Sequence, residues 1–454
     1  MPRGLRSYVL LFVFLSVLYH SNLRPIASGD SLPASLIPFS VLLDGSVRLD
    51  RFGPYLDEHV AYESSVIQKS GGHWYSWYPI AGPVIATPLY LPIVSVPLVR
   101  QLSAGSLVAF ARMFEKVIAV ALAAGSALAL LFLLQRIAPG MAWPLTALFA
   151  IGTGNWSTSS QALWPHTFGV PAILGCFYAV ERFSSQHTQS SAWQWTAGIF
   201  AAFALAIRPT NVALLPALAI VLWIQRARVA DYARIFVPAL VAAGLVISYN
   251  IAVFGRALGG YQAKANTDFF SGLAGILASP GRGLLIYTPV AVFAVCAFFP
   301  GAGELRRKHR PLVAAAAVFM VAQIAIISVW PVWWGGYCWG PRLLTEILPS
   351  MMVLIAIGMP VIHGPLKWVF VAAAVYGCFI QALGVYCYPK GRWDHLPVSV
   401  DNAPARLWNW TDNPIGRTIG GGIAWEPYAI VAAGARGGLP AAAQELQRLG
   451  INAY

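Results

Sequence analysis

Residues 106–135 read SLVAFARMFEKVIAVALAAGSALALLFLLQ, a run in which Arg112, Glu115 and Lys116 are the only charges. A soluble helix has no need of so long an apolar stretch. A bilayer core about 30 Å thick asks for about 20 such residues in a row. The pattern recurs along the chain. Windows at 80–99, 140–155, 162–181, 192–207, 210–225, 235–254, 283–300, 311–331, 343–362 and 366–387 are mostly apolar, as is the first run, Tyr8–Tyr19. The 454 residues are 58% hydrophobic and 10% charged, with a mean hydropathy of +0.64, far from soluble composition. Helices satisfy their own backbone in lipid, and no barrel-type alternation competes. The fold class is an all-α polytopic membrane protein.

The net charge of +13 does not point to nucleic acid, because the basic residues form no stripe on one soluble face. They cluster between apolar runs, at Arg226, Arg228 and Arg234 and at Arg306, Arg307, Lys308 and Arg310, as cytoplasmic loops do. With Arg3 and Arg6 this puts the N-terminus inside, the loop 24–79 outside, and the tail 391–454 outside. Position 46 is then external and position 302 internal. The twelve apolar windows exceed the odd number this orientation requires, so about eleven crossings are expected (range 10–13). The window that fails to cross is the proline-rich 80–99, the short 140–155, or one of the pair flanking Arg208-Pro209-Thr210. Arg3, Arg6 and the short first run also resemble a signal peptide, with Ala27-Ser28-Gly29 offering small residues for cleavage; the expectation is that the segment is retained.

Six of the 17 acidic residues (Asp30, Asp44, Asp50, Asp57, Glu58, Glu63) fall within Arg24–Pro79, the one long polar stretch before the tail. Asp30 lies where the chain leaves the bilayer, in Ser28-Gly29-Asp30-Ser31. An ionisable group there is a functional candidate, although it also suits the cap of a helix starting at Ser31. Around 330–342 the sequence is Trp-Pro-Val-Trp-Trp-Gly-Gly-Tyr-Cys-Trp-Gly-Pro-Arg. Interfacial anchoring accounts for tryptophans; the interleaved glycines point to special backbone geometry beside a cation. The five cysteines (Cys176, Cys296, Cys338, Cys378, Cys387) lie in or beside apolar runs without ligand spacing and read as small hydrophobes. No Walker A, dinucleotide-binding or HExxH motif occurs.

Taken together, several segments resemble a known superfamily. They are Ser28-Gly29-Asp30, His73-Trp74-Tyr75-Ser76-Trp77-Tyr78-Pro79, Leu163-Trp164-Pro165-His166-Thr167, Arg208-Pro209-Thr210-Asn211, Ser279-Pro280-Gly281-Arg282 and Trp333-Trp334-Gly335-Gly336 with Gly340-Pro341-Arg342. Their order is similar to that in bacterial relatives of the protein O-mannosyltransferases (glycosyltransferase family 39-like) and of the lipid A aminoarabinose transferase. The resemblance covers about residues 1–390, a GT-C-like transmembrane domain, and extends into the tail only through Leu407–Pro414. It implies a GT-C fold and an inverting transfer of sugar from a polyprenyl-phosphate donor to a glycan, lipid or protein acceptor, outside the cytoplasmic membrane of a bacterium. Asp30 is followed by Ser31, not by the second acid of the mannosyltransferases; use of a divalent cation such as Mg or Mn is therefore left open. No nucleotide or redox cofactor and no nucleic-acid partner is expected; membrane lipid is.

That chemistry needs a carboxylate to take the acceptor's proton and cations to meet the leaving phosphate. Asp30 is assigned as the base, with Asp57 or Glu58 as a second carboxylate. Arg342, Arg282, Arg208 and His166 are assigned to the donor phosphate, with a sugar hydroxyl as the other ligand His166 would suit, and Tyr75, Tyr78, Trp333 and Trp334 to the sugar. Each has an ordinary alternative. Arg342 also suits an interfacial arginine that snorkels, Arg282 a turn, His166 a structural histidine, and the aromatics a membrane belt. The competing class is a transporter or flippase of lipid-linked sugars, which would show repeated halves; no repeat is visible.

Overall fold

The computed structural model describes residues 3–63, 66–185, 191–259, 268–388, 392–424 and 429–452. Its main helices are α1 (Arg3–His20), α2 (Leu32–Asp44), α3 (Gly53–Glu63), α4 (Ala104–Ile137), α5 (Ala142–Gly152), α6 (Pro165–Ser185), α7 (Ser191–Ile207), α8 (Leu214–Ile224), α9 (Val229–Phe254), α10 (Phe269–Ala278), α11 (Arg310–Ser328), α12 (Leu348–Gly358), α13 (Gly364–Tyr386), α14 (Pro414–Gly421) and α15 (Ala429–Asn452). Among the described residues the only sheet is a hairpin, β1 (Ile67–Ser70) antiparallel to β2 (His73–Ser76), with Ile67 opposite Ser76. Its turn is Gly71-Gly72 with φ of +57° and +83°, the positive-φ pair that a two-residue hairpin asks for.

The opening apolar run becomes α4. The Ser103 hydroxyl accepts the Ser106 N–H and starts the helix. Its 34 residues extend about 51 Å at about 1.5 Å per residue, well beyond a hydrocarbon core of about 30 Å. The surplus lifts Arg112 and Glu115 to the level of Ser28 and Leu163, which they bond.

Among the described residues, five helical segments are long and apolar enough to cross a membrane: Ala104–Ile137, Val229–Phe254, Arg310–Ser328, Arg342–Val361 and Gly364–Tyr386. A sixth arises if Pro289–Phe298 and Pro300–Lys308, bent by 75°, count as one. The chain is a multi-pass membrane protein. The expected eleven exceeds this count because several apolar windows fold as shorter helices; α5, in the window 140–155, has 11 residues. The segment 80–99 is shorter still. Pro83, Pro88, Pro92 and Pro97, which lack the N–H a helix needs, divide it into Ala81–Ala86, Thr87–Tyr90, Leu91–Val94 and Pro97–Arg100.

The loop 24–79 is largely structured, holding α2, α3 and the hairpin. One end of the bundle gathers Tyr8 with Gln135, Arg136 with Ser185, Gln225 with Ser184, and His309 with Glu181. The other gathers Ser28 with Arg112, Ser70 with Val253, and Ser21 with Tyr386. The basic clusters beside Gln225 and His309 thus share an end, opposite Asp30. In the tail, α15 packs beside α4.

Position 302 does not suit a labelling test, because Ala302 is wholly buried. Lys308 on the same basic turn is exposed. Measured against the parent chain, Ser46→Cys is expected to react with an impermeant thiol reagent from the outside and Lys308→Cys only after permeabilisation. Outside labelling of Lys308→Cys would invert the orientation.

Candidate active site

Asp30 lies in a 3₁₀ turn, Gly29–Ser31, whose capping role is taken by another residue: the Ser28 hydroxyl accepts the Asp30 N–H at 3.2 Å. The Asp30 carboxylate is left for other partners. Its Oδ1 accepts the Tyr78 hydroxyl at 2.9 Å, and its Oδ2 lies 2.7 Å from Arg342 Nη1. The turn is held from behind by the surplus end of α4. Arg112 donates to Ser28 O (2.9 Å) and to Ser31 Oγ (3.0 Å) and pairs with the buried Glu115 (3.0 Å), which in turn accepts the Leu163 N–H. One buried chain of bonds therefore fixes both Asp30 and the start of Trp164-Pro165-His166.

Arg342 opens a 3₁₀ helix, Arg342–Ile347, that leads into α12. Its guanidinium carbon stands 4.2 Å from the centroid of the Trp164 ring, and Nη2 donates to Gly335 O at 2.6 Å. That carbonyl reaches inward because Gly335 and Gly336 take φ of +75° and +67°, a geometry that glycine adopts without strain. Nε of Arg342 is buried with no partner among the described residues.

One turn further on is Glu346, fully buried and not anticipated from the sequence. It gathers three elements. Arg208 Nη1 pairs with Oε2 and also donates to Leu343 O at 3.1 Å. Asn211 Nδ2 donates to Oε1 at 2.8 Å, while Gln323 Nε2 donates to Asn211 Oδ1 at 3.0 Å. His166 Nδ1 lies 3.2 Å from Oε2. A buried charge is tolerated only when paired and hydrogen-bonded, and here both carboxylate oxygens are engaged.

Asp30, Tyr78, Arg342, Arg208 and His166 line one cavity of about 690 Å³, within the range of pockets that hold small molecules. Its other walls are largely apolar, with Val212, Leu258, Ile326 and Val332 among them, and Asp401 of the tail stands at its rim. The Trp334 indole N–H donates to Asp401 Oδ1 at 2.7 Å. Among the described residues no group of three or more His, Cys, Asp or Glu side chains is placed to hold a metal ion.

The remaining candidates lie elsewhere. Arg282 is wholly buried outside this cavity. It pairs with Asp394 and donates to Gly281 O (2.8 Å) and Gly336 O (3.1 Å), with Trp393 beneath it. Asp394 also accepts the Tyr388 hydroxyl at 2.7 Å. Burial, with the Asp394 charge beside it, holds the Tyr388 phenol well above its usual pKa, so that it keeps its proton for that bond. Arg282 is thus engaged in fastening the tail, and no donor could reach it without breaking that set. Asp57 pairs with Lys69 on the exposed outer surface, and Glu58 is exposed beside it. Tyr75 lies edge-on to Phe254. Trp333 and Trp334 pack edge to face within the core, Trp333 against Gly275. Trp330, from the same loop, lines the cavity in their stead.

The fold has a solved counterpart. The chain shares its fold with ArnT. ArnT from Cupriavidus metallidurans bound to undecaprenyl phosphate superposes with a TM-score of 0.50 over 99% of this chain and 76% of ArnT, at 11% identity. Its apo state gives 0.50 over the same shares, at 14% identity. The lipid A aminoarabinose transferase resemblance seen in the sequence is therefore matched at the level of fold. No protein-family model and no curated protein matches the sequence.

Two stability predictions follow from the packing. A Cβ on Gly169 would stand 2.3 Å from Glu346 Oε1, whereas one on Gly125, also within a helix, meets nothing within 4 Å. Gly169→Ala is expected to lower Tm, while Gly125→Ala leaves it unchanged or raises it, through the ordinary helix gain in stability of about 0.5–1 kcal/mol. Asp394→Ala strands Arg282 and is expected to cost about 3–5 kcal/mol, the usual penalty for breaking a buried pair from one side, seen as a lower Tm and easier proteolysis of the tail.

Proposed function

We propose that this protein is an integral-membrane glycosyltransferase that moves a sugar from a polyprenyl-phosphate donor to an acceptor hydroxyl outside the cytoplasmic membrane. The observation that carries the reading is the juxtaposition of Asp30 with Arg342 in a cavity whose walls are otherwise mostly apolar. The carboxylate suits proton removal, the cations suit a phosphate, and the apolar walls suit a lipid. ArnT, the structural neighbour, was solved with undecaprenyl phosphate, which supports this class of donor. The acceptor is a glycan, a lipid or a protein.

In this reading the acceptor oxygen attacks the anomeric carbon as its proton passes to Asp30, and the carbon–oxygen bond to phosphate breaks on the opposite face, inverting the centre. The electron pair leaves with the phosphate, whose growing charge meets Arg342, with Arg208 behind it. Asp30 retains lone pairs for the proton even with Tyr78 and Arg342 attached, because a carboxylate offers about four acceptor positions. Trp164 and Gly335 hold the Arg342 fork in one plane, so little ordering remains for the donor to impose. The domain extends over residues 1–390, with 391–454 as an external tail, in a bacterial inner membrane. Eleven crossings fit the two ends of the bundle if 80–99 stays on the Asp30 side, with the N-terminus inside.

Asp30→Asn keeps the size of the side chain and removes the base. It is expected to lower turnover by about 10²–10⁴ while binding of undecaprenyl phosphate changes little. Turnover above about a tenth of wild type, outside that range, would remove Asp30 from the chemistry. Arg342→Lys keeps the charge but loses the fork, and a lost charge-assisted bond of about 1.5–3 kcal/mol amounts to about 10- to 150-fold in donor affinity. The control is Arg100→Lys, at an exposed arginine whose side chain, among the described residues, bonds only Val94 O. Equal behaviour of the two lysine variants would place the phosphate elsewhere.

A further inference from the structure

His166 is fastened by the edge that decides what its other edge can bind. Glu346 receives the Asn211 amide N–H on Oε1 and the Arg208 guanidinium on Oε2. Asn211 cannot be turned round, because the same Nδ2 also donates to the backbone carbonyl of Ala204 at 3.0 Å. Donors on both oxygens, one of them a permanent cation, define Glu346 as a carboxylate that only accepts. For His166 Nδ1 to sit 3.2 Å from Oε2, it must therefore carry a hydrogen. Arg208 Nη1 also lies 3.3 Å from Nδ1. Its two hydrogens, however, are directed at Leu343 O and at Glu346, so it asks nothing of the imidazole. A second proton on the ring would set two cations against one carboxylate on a side chain that is only 2% exposed, and buried charge in excess is costly. The ring is neutral, and its remaining nitrogen, Nε2, carries a lone pair.

The ring lines the cavity, and no described residue hydrogen-bonds Nε2. A lone pair facing the ligand repels a phosphate oxygen, which is itself an acceptor, and welcomes a hydroxyl hydrogen. We propose that His166 accepts a hydrogen bond from a hydroxyl of the bound substrates through Nε2 and makes no contact with the donor phosphate, with Glu346 as the positioning residue that holds it in this tautomer. The inference deepens the glycosyltransferase reading, on which it rests, and decides between the two ligands the sequence left open for His166, in favour of a hydroxyl. Arg208 keeps Glu346 charged and so serves the same end. The hydroxyl belongs either to the transferred sugar or to the acceptor; both present the same donor chemistry.

The test uses the full chain in lipid nanodiscs and undecaprenyl phosphate, a ligand with the phosphate and no sugar. His166→Ala is expected to bind it within about twofold of wild type, while Arg342→Lys binds it at least about tenfold more weakly. Nitrogen-15 NMR of histidine-labelled wild type, with the signal assigned by its loss in His166→Ala or His166→Asn, is expected to show hydrogen on Nδ1 and none on Nε2. That measurement holds even where a variant folds poorly. With a turnover assay, a KM effect of His166→Ala confined to the glycosylated donor assigns the hydroxyl to the sugar, and one confined to the acceptor assigns it to the acceptor. Weakening of undecaprenyl phosphate binding by about tenfold in His166→Ala, or hydrogen on Nε2, overturns the proposal. Failure of wild type to bind undecaprenyl phosphate overturns the donor reading instead, and is told apart because the tautomer is read without ligand.

Discussion

The Glu346 carboxylate, cut off from water inside a helix bundle, obliges everything near it to supply hydrogen. Arg208 arrives from the break between α7 and α8, Asn211 from the turn after it, and His166 from the start of α6, all to a residue on the approach to α12. Removing Arg208 would leave an unpaired buried charge, among the most expensive defects a protein can hold, and removing Asn211 would leave a buried carboxylate oxygen without its donor. Even the backbone opposite yields to it: α6 has glycine at position 169, where a methyl group would overlap the carboxylate. The interaction therefore sets the mutual position of four helices before any ligand enters.

Asp30 and Arg342 sit at the edge of that set and differ from it in being open on one side. Arg342 is four residues from Glu346 on the same 3₁₀ helix, so the rigid interior and the cation that lines the cavity share one short piece of backbone. From the other direction, Arg112 and Glu115 brace the Asp30 turn against the long helix α4. Two buried polar networks, one per wall, thus meet at a single ion pair. Preorganisation of this kind keeps the cost of ordering out of the binding step.

Much of this could be read from the residues in order, and the failures have physical causes. The apolar runs announced lipid, and Asp30, Tyr78, His166, Arg208 and Arg342 do line one cavity. The polarity of the 24–79 segment concealed two helices and a hairpin, because a segment resting on a membrane domain buries one face only. Proline spacing at 83, 88, 92 and 97 signalled broken helices, but not where the pieces go. Arg282 follows Pro-Gly much as Arg342 follows Gly-Pro, yet it is buried against Asp394; nothing local tells a cation that lines the cavity from one sealed against the tail. Glu346 was the legible signal passed over. A lone acid in the apolar run 343–362 is as improbable as an arginine there, and it should have been read as the missing partner of Arg208.

The tail gives the protein a timetable. Asp394 and Asp401 both follow α13 in the chain, yet the first neutralises Arg282 and the second lines the cavity. Arg282 and the bundle around it are therefore made before the acid that matches them. Until Asp394 has been delivered to the Asp30 end of the bundle, Arg282 remains a buried cation without its counter-charge.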